Sequence, residues 1–186
     1  AASCGVLGRN RRGVAEAAGV EADVDFTVGT FSKSLGTVGG YCVSSHPELE
    51  LVRLHCRPYM FTASLPPEVI AASMAALDDM KAQPELRVRL MENAARFHKG
   101  LNSLGLTTGR TVSPVVGVVL DTIPEAIMLW NTLLSLGLYV NLSLPPATPD
   151  HHPLLRCSVM ATHTSEKIDR AVEIFGEAMA RLPASA

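Results

Sequence analysis

Apolar positions along the chain fall into two periods, one of three to four residues and one of two. Ile168, Val172, Phe175, Met179 and Leu182 keep the longer period, which predicts a helix with one buried stripe. Thr164 is placed to cap its start, with Glu166 in the first turn. Leu86, Leu90, Ala94, Phe97, Leu101 and Leu104 form a second stripe that runs to Gly105. A third, Ile70, Met74, Leu77 and Met80, follows Pro66-Pro67. Proline there is a natural helix start, because a first-turn proline loses no hydrogen bond. Pro84 separates these two stripes, so the middle of the chain reads as two stacked helices or one bent helix.

Short apolar and β-branched runs supply the strands. Residues 23–29 read as a buried strand, and Gly39-Gly40 opens another over 41–44. Residues 1–22 read as a loop leading into a short helix. After Gly105 the order is strand (115–120), helix (124–136, stopped by Gly137), strand (138–142), strand (154–160), helix. That is an α+β unit of about 80 residues.

Composition narrows the class. The 186 residues suffice for one domain or a domain and a half. Apolar residues make up 47% and charged residues 18%, which supports a buried core and argues against disorder. A net charge of −2 advertises no basic face for nucleic acid. The apolar runs are shorter than the about 20 residues of a membrane span, and the first residues lack the apolar core of a signal peptide. The expectation is a soluble, cytoplasmic protein with no transmembrane segment and no nucleic-acid partner. Cys4, Cys42, Cys56 and Cys157 show no C-x-x-C spacing. Cys42 and Cys157 lie in apolar runs and read as small buried thiols. His151-His152 is the one histidine cluster, and adjacent side chains without further ligands predict no metal site.

The segment with the most chemistry is 29–41, GTFSKSLGTVGGY. Lys33 follows a strand directly and sits among hydroxyls and glycines. A strand end that turns it toward an interior or a cleft favours loss of its proton, and a neutral amine attacks carbonyls. Thr30 and Ser32 offer hydroxyl donors suited to a phosphate. A P-loop is excluded, since serine rather than glycine precedes the lysine. Spacing alone leaves both a cofactor lysine and a surface-turn lysine open.

VDFTVGTFSKSLGTVGGY resembles the cofactor-lysine segment of the α-oxoamine synthases, a family of fold-type-I pyridoxal-phosphate enzymes. GVLGRNRRGVAEAAGV is similar to the stretch after that family's D-x-A-H motif, RPYMFTASLPP to its following loop, and LLRCSVMATHT to its C-terminal substrate-binding strand. The resemblance covers essentially the whole chain. HPELELVRLHCRPYMFTASLPP and GLYVNLSLPPATP look most like the bacterial serine palmitoyltransferases, though the second is partly shared with 8-amino-7-oxononanoate synthases.

The resemblance implies an α/β fold: the C-terminal part of the large domain of the pyridoxal-phosphate transferases, plus their small α+β C-terminal domain. Residues 1–65 then end the large domain, 66–104 bridge, and 105–186 form the small domain. It implies that Lys33 carries pyridoxal 5'-phosphate as a Schiff base and moves the substrate Cα proton. Thr30 and Ser32 bind the cofactor phosphate. Thr62 reaches the phosphate of a neighbouring subunit, giving a homodimer with shared active sites. Arg156 grips the substrate carboxylate, as its planar fork suits; a structural ion pair is the other reading of that residue. The implied reaction is decarboxylative condensation of L-serine with palmitoyl-CoA to a 3-keto long-chain base. Another α-oxoamine synthase activity, or a non-catalytic subunit, stays open. Two positions depart from the pattern: Ala2 replaces the D-x-A-H histidine, and Leu144 replaces an arginine before PPATP. The ring-nitrogen aspartate and the segment before it are not in this sequence, so the resemblance implies part of a longer polypeptide, a poor catalyst alone.

Overall fold

Every buried apolar side chain among the described residues lies after Pro84. The computed structural model describes residues 4–182, so Ala2 lies outside the described residues. Contacts divide the chain at Pro84 into two units, 1–84 and 85–186.

The second unit begins with helix α5 (Pro84–Ser103). Strands β3 (Thr107–Thr108) and β4 (Val115–Val119), helix α6 (Ile123–Ser135), strands β5 (Asn141–Ser143) and β6 (Leu154–Ser158), and helix α7 (Ser165–Ala180) follow. The strands form one antiparallel sheet in the order β3-β4-β6-β5. Side chains alternate across a strand, so Val116, Val118, Leu155 and Cys157 share one face, and all four are buried. They join one apolar cluster with Phe97 and Leu101 of α5, Leu129 and Leu133 of α6, and Ile168 and Phe175 of α7. Phe97 meets Phe175 edge-on, with ring centroids 6.1 Å apart.

The expected stripes and the expected cap at Thr164 are found here, with a second cap, at Thr122, that was not foreseen. Thr164 accepts from the Lys167 N–H and caps α7; Thr122 caps α6 through the Glu125 N–H. The Glu166 carboxyl is held below its ordinary value by its own backbone N–H and by Thr164. Strand β5 is shorter than the expected 138–142 for a visible reason. Leu138 N–H closes the end of α6 on Leu133 O, and Val140 O accepts from the Trp130 indole at 2.9 Å. Backbone groups already engaged this way are not offered to a ladder. β3 was not foreseen: two threonines make too short a signal.

The first unit contains helix α1 (Val14–Ala18), strands β1 (Thr27–Thr30) and β2 (Gly40–Val43), and helices α2 (Leu49–His55), α3 (Arg57–Met60) and α4 (Pro67–Ala82). β1 and β2 pair antiparallel, with Gly29 opposite Tyr41 and Thr30 opposite Gly40. Three expectations are corrected. Residues 21–23 form a 3-10 turn, so β1 starts at Thr27, and it is exposed except at Gly29. Cys42 is exposed, because its cross-strand partner Val28 is itself 72% exposed and the pair belongs to a two-stranded sheet. The Ile70–Met74–Leu77 stripe of α4 also faces solvent; the buried position of that helix is Ser73, one residue out of phase.

Candidate active site

The turn carrying Lys33 is built from the β1–β2 connection. Phe31 N–H donates to Gly39 O, Thr37 N–H to Phe31 O, and Gly36 N–H to Lys33 O. These three bonds fold residues 31–39 back on themselves. Gly36 takes φ 62, a left-handed conformation that glycine adopts without a Cβ penalty. At the base of the turn, a Cβ on Gly29 would stand 2.4 Å from the Tyr41 ring. The missing side chain lets that ring cross the strand and stack on Phe31, centroids 5.7 Å apart. Desolvation and the nearby Cys4 thiol push the Tyr41 phenol above its ordinary value.

Three predicted residues come together in this turn. Lys33 Nζ donates to Ser32 Oγ at 3.0 Å, and Ser32 Oγ donates to Thr30 Oγ1 at 3.3 Å. All three side chains are exposed. Of the expected interior or cleft placement of Lys33, the interior is not found, because the two-stranded sheet behind the turn is exposed except at Gly29 and the half-buried Tyr41. Thr62 follows α3, is exposed, and receives no hydrogen bond from the trio among the described residues. Its N–H donates to Tyr59 O at 3.3 Å.

Arg156 lies in the second unit, on the sheet face away from the helices. Its cross-strand neighbours there are Gly117 and Asn141. Gly117 has no side chain, and a Cβ built on it would meet nothing within 4 Å. Arg156 is therefore exposed beside an open patch, the only charged residue among the strand residues of that face. Among the described residues its guanidinium makes no ion pair. The loop after β6 is tied down from behind. The buried Asn93 amide donates to Met160 O at 3.1 Å and His163 O at 2.7 Å, and His163 Nδ1 accepts from the Met160 N–H. His163 thus serves the turn before α7.

On the opposite, helix-facing side of the sheet lies an apolar cavity of about 570 Å³, lined in part by Phe97, Leu138, Val140, Cys157 and Ile174. Burial there pushes the Cys157 thiol up to about 12. Sequence reading singled out neither this cavity nor the partners of the Lys33 turn outside it. Ser34 Oγ donates to Cys4 O, and the Thr37 and Ser73 hydroxyls are 2.7 Å apart. No helix among the described residues is long and apolar enough to cross a membrane.

Residues 5–175 match the sequence family described as aminotransferase class I and II. The chain is 57% identical over 180 residues to a serine palmitoyltransferase of Caulobacter vibrioides, covering 97% of this chain and 45% of that protein. It is 36% identical over 171 residues to an 8-amino-7-oxononanoate synthase of Alkaliphilus metalliredigens, covering 92% and 43%. Its structure superposes on that of an SPT with a PLP internal aldimine at a TM-score of 0.92, with 48% identity over 97% of this chain and 46% of the other. The chain thus spans less than half the length of each of these relatives, and the expected α/β fold agrees with theirs.

Proposed function

As the chain belongs to the aminotransferase class I and II family, we propose that it forms the lysine-bearing part of a pyridoxal-phosphate-dependent acyltransferase. The proposed reaction joins L-serine to palmitoyl-CoA, releasing CO2 and CoA and giving a 3-keto long-chain base. The carrying observation is the Lys33–Ser32–Thr30 chain of hydrogen bonds within one turn. Its donor set fits the cofactor: a primary amine condenses with an aldehyde, and hydroxyls donate to phosphate. When bound, the cofactor supplies an electron sink for the charge that develops at the amino-acid Cα.

The remaining chemistry belongs to this chain. Lys33 Nζ holds the cofactor, takes the Cα proton of the amino acid and later returns a proton to the product. Ser32 Oγ and Thr30 Oγ1 orient the phosphate. Arg156 grips the amino-acid carboxylate; its free guanidinium and the gap at Gly117 support that role, since a planar fork pairs two N–H groups with two oxygens. Thr62 reaches the phosphate bound by a second copy, making a homodimer with shared sites. Residues 1–65 end a cofactor-binding domain, 66–104 bridge, and 105–186 form the small domain. The four free cysteines suit the cytoplasm. An oxononanoate-synthase activity is the second reading, at 36% against 57% identity.

Incubation with pyridoxal phosphate, borohydride reduction and peptide mapping tests the role of Lys33. The expected result is a pyridoxyl label on Lys33 that disappears in Lys33→Ala. A label spread evenly over the four lysines would refute the proposal. An amino-acid panel that favours alanine over serine would move the substrate to the second reading.

A further inference from the structure

We infer that Thr37 and Ser73 are positioning residues for Lys33: α4 holds the lysine-bearing turn through one hydrogen bond of fixed direction. The inference rests on the proposed role of Lys33. The backbone bonds of residues 31–39 set the shape of the turn but not its place, because donor and acceptor both lie within it. Its place depends on contacts outside the turn. Leu65 fills the space beside Gly39, where a Cβ would come within 2.6 Å of its methyl. Ser34 reaches Cys4 O. The contact to α4 is made by Thr37 Oγ1 and Ser73 Oγ, 2.7 Å apart.

The direction of that bond follows from proton counting. Ser73 Oγ donates to Val69 O at 2.8 Å, one helical turn back. A hydroxyl has one hydrogen, so Ser73 has none left and Thr37 is the donor. Ser73 is 8% exposed and the one buried residue of α4, so its oxygen is a fixed acceptor away from water. Thr37 is well placed to transmit the restraint. It lies four residues after Lys33, and its own N–H bonds Phe31 O, two residues before Lys33. One side-chain bond therefore restrains both flanks of the lysine. The loss is asymmetric. Ser73→Ala strands the Thr37 donor, whereas Thr37→Val leaves Ser73 still bonded to Val69 O.

The test compares wild type, Thr37→Ser, Thr37→Val and Ser73→Ala as full chains. Each is treated with limiting pyridoxal phosphate and borohydride. Nζ condenses with the aldehyde, water leaves, and hydride from borohydride reduces the C=N bond. The readout is the ratio of label on Lys33 to label on the exposed Lys99, which corrects for reagent dose. The ratio is expected to fall about fivefold to tenfold in Thr37→Val and Ser73→Ala, equal to about 1–1.4 kcal/mol, with Ser73→Ala the larger. Thr37→Ser should keep the wild-type ratio. Amide hydrogen exchange should speed up in residues 31–39 of the two defective variants and stay unchanged in α7. Unchanged ratios, or unchanged exchange in 31–39, overturn the inference. If wild type does not favour Lys33 at all, the reading of Lys33 fails instead, and exchange alone then decides whether Thr37 and Ser73 hold the turn.

Discussion

Cys157 makes the stability of the second unit depend on alkali in a calculable way. It sits on the helix-facing side of β6, 4% exposed, and burial raises its thiol from 9.0 to about 12. The protonated thiol is the neutral form, so the folded chain keeps a proton that the unfolded chain releases above pH 9. The unfolded state then binds fewer protons, and stability falls as pH rises from about 9 toward 12. Below that window both states are protonated and Cys157 adds no slope. From the two values, the loss between pH 8 and pH 10 comes to about 1.4 kcal/mol. Other groups titrate there too, so the measurement is a difference. Urea unfolding of wild type and Cys157→Ala, followed by circular dichroism at pH 8, 9 and 10, gives two stability curves. The substitution itself shifts one curve by a constant. The wild-type curve should fall more steeply by about 1.4 kcal/mol over that interval. Curves parallel to within about 0.4 kcal/mol would refute the reasoning. They would mean that water in the neighbouring cavity solvates the thiolate.

Two further outcomes are expected. Phe175→Ala removes a side chain with no exposed surface and its edge contact to Phe97, so unfolding should become easier by about 3–5 kcal/mol; a shift in the urea midpoint worth under about 1 kcal/mol would show that the core has collapsed into the gap. Arg156→Gln should raise the amino-acid concentration for half-maximal rate in the catalytically competent enzyme at least about tenfold, the loss of one charge-assisted pair. Its unfolding midpoint should not change, since Arg156 has no ion-pair partner among the described residues, and a destabilised fold with unaltered substrate dependence would return Arg156 to a structural role.

The second unit was largely legible because its signals are local and agree with one another. In α7 the cap at Thr164 and the stripe through Ile168 and Phe175 name the same helix, and both are used. The first unit was harder because periodicity reports amphipathicity without saying which apolar face is covered. In α4 the obvious stripe through Met74 is exposed, and contact is made at Ser73, a polar residue whose role appears only once Thr37 is beside it. Likewise β1 is apolar enough to look buried, yet burial depends on what packs on a sheet. At the site, Thr30, Ser32 and Lys33 are adjacent in sequence, so one short motif disclosed them. Arg156 was singled out through the family resemblance. That Gly117 opens the space beside it needed the strand register.

Trp130 is the single tryptophan of the chain, and its indole is bonded to Val140 O in the second unit. Its fluorescence is thus a regional probe supplied by nature, one that reports directly on the second unit. Far-ultraviolet dichroism, in contrast, registers helices on both sides of Pro84. Superimposable transitions from the two signals would mark the chain as one cooperative folding unit. A dichroism change that precedes the emission change would mark the lysine-bearing region as the part that melts first.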